Sequence, residues 1–124
     1  ATVVTYGEMT LWANKALEYL ENEYEHSCDL FDLRALAPLN LDRIRESVSK
    51  TSRLVVIHES RRNVGFGAEL VAQITEKQFF DLEAPPLRIA SQNMPVPFAA
   101  ELEADYRPNT DSILSAMIEW IESH

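Results

Sequence analysis

Apolar positions along the chain recur with two different periods. "TVVTY" (2 to 6) is β-branched and aromatic and stops at Gly7, which predicts a strand. From Met9 to Tyr24 the apolar residues Met9, Trp12, Ala13, Ala16, Leu17, Leu20 and Tyr24 keep the three- and four-residue spacing of an amphipathic helix. Glu18, Glu21 and Glu25 lie on its other side. "CDLFDL" (28 to 33) alternates and predicts a second strand. Pro38 breaks the chain, and Asn40 is an expected N-cap for a short helix turning Leu41, Ile44 and Val48 inward.

"RLVVIHE" (53 to 59) is the most apolar strand, and such runs are covered on both faces. A helix over residues 67 to 80 carries Ala68, Leu70, Val71, Ala72, Ile74 and Phe79, an arc too wide for one sheet face, which predicts a second buried contact. After two prolines comes "LRIA" (87 to 90), a short last strand, and then the proline-marked loop "SQNMPVPF". A final helix is expected over 111 to 122, with Thr110 as its cap and Ile113, Leu114, Met117, Ile118 and Ile121 apolar. Strands separated by helices pack as a parallel sheet covered on both faces. The fold class is therefore α/β: a three-layer α/β/α sandwich around a mainly parallel, four-stranded sheet.

Length adds that 124 residues make one domain, spanning 1 to 124. A strand at the very first residues, with no basic leader before it, reads as a piece cut from something longer. No apolar run approaches the roughly 20 residues that span a bilayer. Twenty acidic against 11 basic side chains give a net charge of -9, which repels phosphodiester backbones and anionic membranes and suits a basic protein partner. Cys28 is the only cysteine, so there is neither a disulfide framework nor a multi-thiolate metal site; it is expected to be a buried strand thiol.

The stretch with chemical interest is "LVVIHESRRNVGFGAEL" (54 to 70). His58 is expected at the carboxyl end of a central strand, where open α/β sheets gather ligands; the plainer alternative is a histidine bonded to a neighbouring loop. Gly65 and Gly67 stand at a helix start, but Leu70 breaks the dinucleotide fingerprint and no Gly-Lys-Ser/Thr follows. What survives is a helix N-terminus beside Arg61 and Arg62, able to hold one anion, or else glycines that let the helix approach the sheet or a neighbouring subunit closely. His26 lies in a polar turn and His124 is terminal. No Gly-x-Ser-x-Gly elbow is present, and no metal-ligand spacing emerges.

"VTYGEM", "DLFDLRALAPLN", "TSRLVVIHES", "VGFGAELVAQI", "LEAPPLRIA" and "MPVPFAAELEADYRPN" occur in this order. Together they resemble the C-terminal domain of the β subunit of thiamine-diphosphate-dependent 2-oxo acid dehydrogenases, a domain type shared with transketolase. Val64 replaces the family's usual first glycine, and Asn93 and Phe98 stand where Asp and Tyr are usual. The resemblance implies a parent enzyme that oxidatively decarboxylates a 2-oxo acid, of branched-chain 2-oxoisovalerate or pyruvate type, and passes the acyl group to lipoamide. It implies thiamine diphosphate and Mg bound outside this domain, with no catalytic or coenzyme-binding residue inside it. The implied partners are an α subunit, a second β subunit in a heterotetramer, and the acyltransferase component of the complex. The implied location is the bacterial cytoplasm or the mitochondrial matrix.

In that family the acyltransferase docks on the carboxylate preceding Ala-Pro, which matches Glu83 in "LEAP", helped by the terminal carboxylate, here His124. The reading that follows is an assembly and docking domain. Its alternatives are a regulatory domain holding an anion at His58, Arg61, Gly65 and Gly67, or the equivalent domain of a transketolase-type transferase. We expect the strand at 2 to 6 to lie between those at 28 to 33 and 53 to 58, with 87 to 90 beyond the latter. Glu83 and the chain end are expected on one exposed face.

Overall fold

The computed structural model describes residues 1–5, 9–33, 41–61, 66–91 and 109–124. The central pair of strands is β1 (Thr2–Thr5) and β3 (Leu54–Arg61). All four residues of β1 are completely buried, as expected of β-branched residues in the middle of a covered sheet. β2 (Asp29–Asp32) flanks β1, and β4 (Leu87–Ser91) flanks β3, giving the order β2-β1-β3-β4. Every pairing is parallel, with Val3 opposite both Leu30 and Val55, and Ile57 opposite Ile89. The expected order and direction both hold.

Alternation along β3 separates the two layers. Val55 and Ile57 join Val3 and Ile89 beneath α1 (Met9–Tyr24) and α4 (Thr110–Ser123), with Met9, Ala13, Leu20, Ile113 and Met117 completing that half of the core. Leu54 and Val56 join Val4 beneath α2 (Asp42–Thr51) and α3 (Phe66–Gln78), against Ile44, Val48, Leu70 and Ile74. This is the three-layer sandwich that the alternation of segments dictates.

Several local expectations are corrected. β3 runs past His58 to Arg61, because the ladder to β4 resumes at Arg61 opposite Ser91 after an irregularity beyond Ile57. Cys28 precedes β2 and is only half-buried. In α1, Trp12 and Tyr24 are 37% and 50% exposed: the small Ala13 and Ala16 face the core and narrow the buried stripe. The N-cap position of α2 is Leu41, without a side-chain bond; Asn40 lies outside the described residues. α3 ends at Gln78 and passes into a 3-10 turn (Phe79–Asp81) that carries Phe79 into solvent, so the expected second burial of its arc is not made by Phe79. The cap of α4 is Asn109: its side chain accepts from the Ser112 amide, and the Ser112 hydroxyl accepts from the Asn109 amide.

Candidate functional site

The strand-end cluster expected around His58 is built differently. Since β3 continues beyond it, His58 follows Leu54 and Val56 onto the α2/α3 face and is completely buried. Gly67, in the first turn of α3, lies directly over its ring. A Cβ there would overlap Nε2, stand 2.5 Å from Cδ2 and sit 3.2 Å from the Val56 Cγ1. The glycine is thus required by a close approach of helix to sheet. Burial, followed by the charge of Arg88, holds the imidazole below its usual pKa, so it stays neutral at pH 7. Arg61 is the last residue of β3, but its side chain, Arg62 and Gly65 lie outside the described residues. Among the expected anion-site residues, the structure therefore joins His58 and Gly67 as packing partners.

The opposite end of the sheet, where the parallel strands begin, is organised by the turn from α2 into β3. Ser52 closes α2 in the left-handed region, with φ of 62°. Its carbonyl accepts from the Glu83 amide at 2.8 Å. The next residue, Arg53, donates from Nη2 to the main-chain oxygen of His124 at 2.9 Å, and its guanidinium lies 5.6 Å from the centre of the Trp120 ring. Trp120 in turn donates from Nε1 to the Pro85 carbonyl at 2.9 Å. Glu83 and His124 are both exposed. Two consecutive residues, 52 and 53, thereby tie the Glu83 segment and the end of α4 to the same end of the molecule.

Behind this edge lies a hydroxyl network. Thr2 Oγ1 is 2.7 Å from both Ser47 Oγ and Thr51 Oγ1, and Ser47 donates to Asp29 at 2.7 Å. The Ser47 bond, then Lys50, holds the Asp29 carboxyl below its usual pKa. Burial, reinforced by the charge of Arg53, holds His26 below its usual pKa. Sequence reasoning named Glu83 and His124 as candidates but did not single out Arg53 and Trp120, whose contacts reach His124 and Pro85. The available signal was a lone arginine between a helix end and an apolar strand, and a tryptophan in the last turn of a terminal helix.

A family model, "Transketolase, C-terminal domain", matches residues 1–113. The chain belongs to this family. As a transketolase C-terminal domain it shares its fold with a solved structure titled "Split gene transketolase, inactive beta4 tetramer", at a TM-score of 0.77, 20% identity, and coverage of 98% of this chain and 39% of that one. In sequence it is similar to the 3-methyl-2-oxobutanoate dehydrogenase subunit beta of Mycobacterium tuberculosis, 41% identical over 94% of this chain and 33% of the relative. It is 40% identical to the pyruvate dehydrogenase E1 component subunit beta of Porphyra purpurea, over 82% of this chain and 30% of the relative. The mitochondrial counterpart of Saccharomyces cerevisiae is 35% identical over 95% of this chain and 32% of its own length. The chain thus spans about a third of the length of these relatives.

Proposed function

We propose that this chain is the C-terminal assembly and docking domain of the β subunit in the decarboxylating component of a 2-oxo acid dehydrogenase complex. The parent enzyme takes a branched-chain 2-oxo acid or pyruvate, decarboxylates it oxidatively and delivers the acyl group to lipoamide on the acyltransferase component. Support for the parent comes from the similarity to β subunits of both substrate types. Support for docking comes from one geometric observation: Glu83 and His124, both exposed, are tied to the consecutive residues 52 and 53.

Thiamine diphosphate, with Mg, supplies the carbanion chemistry of the parent, and the reading assigns both to parts of the enzyme outside this domain. Among the described residues no group of three or more His, Cys, Asp or Glu could hold a metal ion, and the one buried imidazole of β3 is closed off by Gly67. What the domain contributes is a stiff platform with an acidic edge, in a chain of net charge -9. The partners in this reading are an α subunit, a second β subunit and the acyltransferase. The compartment is the bacterial cytoplasm or mitochondrial matrix, and no helix among the described residues is long and apolar enough to cross a membrane. The test is binding of the purified acyltransferase to holoenzyme carrying Glu83→Gln. Weakened binding with unchanged turnover of a free 2-oxo acid supports the reading, and unchanged binding overturns it.

A further inference from the structure

Beside Glu83 the surface changes character. Phe79 is 62% and Phe80 97% exposed, in consecutive positions of the 3-10 turn after α3. Their rings meet edge to face with centres 5.4 Å apart. A groove of about 530 Å³ opens next to them, lined by Leu82, Pro85 and Pro86, with Glu83 among its walls. Pro85 is itself fixed from behind by the Trp120 hydrogen bond. Prolines have little side-chain freedom to lose, so this wall is set before anything binds. An apolar groove flanked by an aromatic pair held in water marks a surface that receives a partner.

Charge selects the kind of partner. The exposed carboxylate on the groove wall is Glu83; Asp81 beside it already accepts from Ser49 and Gln78, Glu76 lies on the preceding turn and Lys77 is the neighbouring cation. Arg53, which approaches from the other side, is engaged with Trp120 and His124. The occupant that complements this arrangement carries an aliphatic side chain next to an Arg or Lys. The cation would meet Glu83 while the aliphatic group enters the groove.

We infer that the groove between Phe79, Phe80 and the Pro85–Pro86 wall seats an aliphatic anchor from a basic segment of the docking partner. This rests on the docking reading above and adds the contact that holds the partner once charge has brought it in. The two contributions differ in kind: a rim charge acts mainly on association and fades with salt, whereas an apolar anchor acts on dissociation and persists.

The experiment uses holoenzyme assembled with its α subunit and the purified acyltransferase as probe, at low and high salt. Phe80→Ser changes a side chain in solvent, and an unchanged melting temperature will verify that it folds. The expected result is binding weakened by about ten- to a hundredfold at both salts, through faster dissociation. Glu83→Gln is expected to lose most at low salt. If Phe80→Ser binds like wild type while Glu83→Gln is weakened, the groove inference falls and the docking reading stands; if both bind like wild type, both fall. A para-fluorophenylalanine at position 80 gives a direct readout by fluorine NMR, with its resonance expected to shift when acyltransferase is added. A ring already shielded from a soluble paramagnetic agent in the holoenzyme alone would assign the groove to another part of the parent and overturn the inference.

Discussion

The imidazole of His58 and the α-carbon of Gly67 are so close that no side chain fits between them. Gly67→Ala would push a methyl into a ring that is fully buried. Overpacking of this kind costs about 1–3 kcal/mol, outweighing the few tenths to one that alanine gains by its lower unfolded-state entropy. Urea unfolding should therefore give a lower midpoint for Gly67→Ala. Adding His58→Ala should recover part of the loss that the two substitutions would give if independent. Strict additivity would mean that the ring is not the obstacle.

The same ring makes a prediction about pH. Burial and then Arg88 lower its pKa in the folded state below the usual 6.5. The unfolded chain therefore binds the proton first as pH falls, so this contribution to stability is intact above about 6.5 and is lost as pH descends toward the folded-state value. His26 acts in the same direction and window, whereas the depressed carboxyl of Asp29 acts only near and below its usual 3.8. Chemical denaturation between pH 7.5 and 5.5 (about one unit either side of 6.5) should show falling stability, with a shallower slope in His58→Asn. An identical slope in that variant would assign the effect elsewhere.

For the docking edge proposed above, Glu83→Ala in the full enzyme is expected to weaken acyltransferase binding by about 1–3 kcal/mol. The loss should shrink as salt is raised, since a rim charge is screened over about 8–10 Å at ordinary ionic strength. Surface plasmon resonance at several salt concentrations measures both features. Decarboxylation of a free 2-oxo acid with an artificial electron acceptor should be unaffected.

Asn109→Ala removes the reciprocal bonds at the start of α4 and should destabilise the domain by about 1 kcal/mol. Thr110→Ala should cost less, because Thr110 is the first helical residue and its hydroxyl makes only a 3.3 Å surface bond to the Trp12 carbonyl. Equal losses in thermal melts would contradict the assignment of the cap.

Titration of the isolated chain with thiamine diphosphate and Mg in a calorimeter should give no heat of saturable binding. A dissociation constant in the micromolar range would overturn the assignment of the coenzyme to other parts of the parent.

The sandwich itself was legible because each strand and helix carries its own hydrophobic period, and parallel βα topology then leaves few choices. Position 58 was misjudged for a local reason. "HES" is polar and reads as the end of a strand, yet alternation carries His58 inward and the backbone ladder resumes at Arg61. Trp12 was misjudged because helical spacing identifies a stripe but not its width, which the alanines at 13 and 16 set through close packing. The link from Arg53 to His124 spans 71 positions and that from Trp120 to Pro85 spans 35. No local pattern encodes such pairings; they arise from the lengths and hand of the helices between.

That bracket also joins different storeys of the fold. The Glu83 segment descends from the α2/α3 layer, His124 ends the α1/α4 layer on the other side, and Ser52 and Arg53 enter the sheet between them. The relative position of Glu83 and His124 is therefore set where both helical layers meet the turn at Ser52 and Arg53. A slide of either layer over the sheet would change that spacing even with each layer internally rigid.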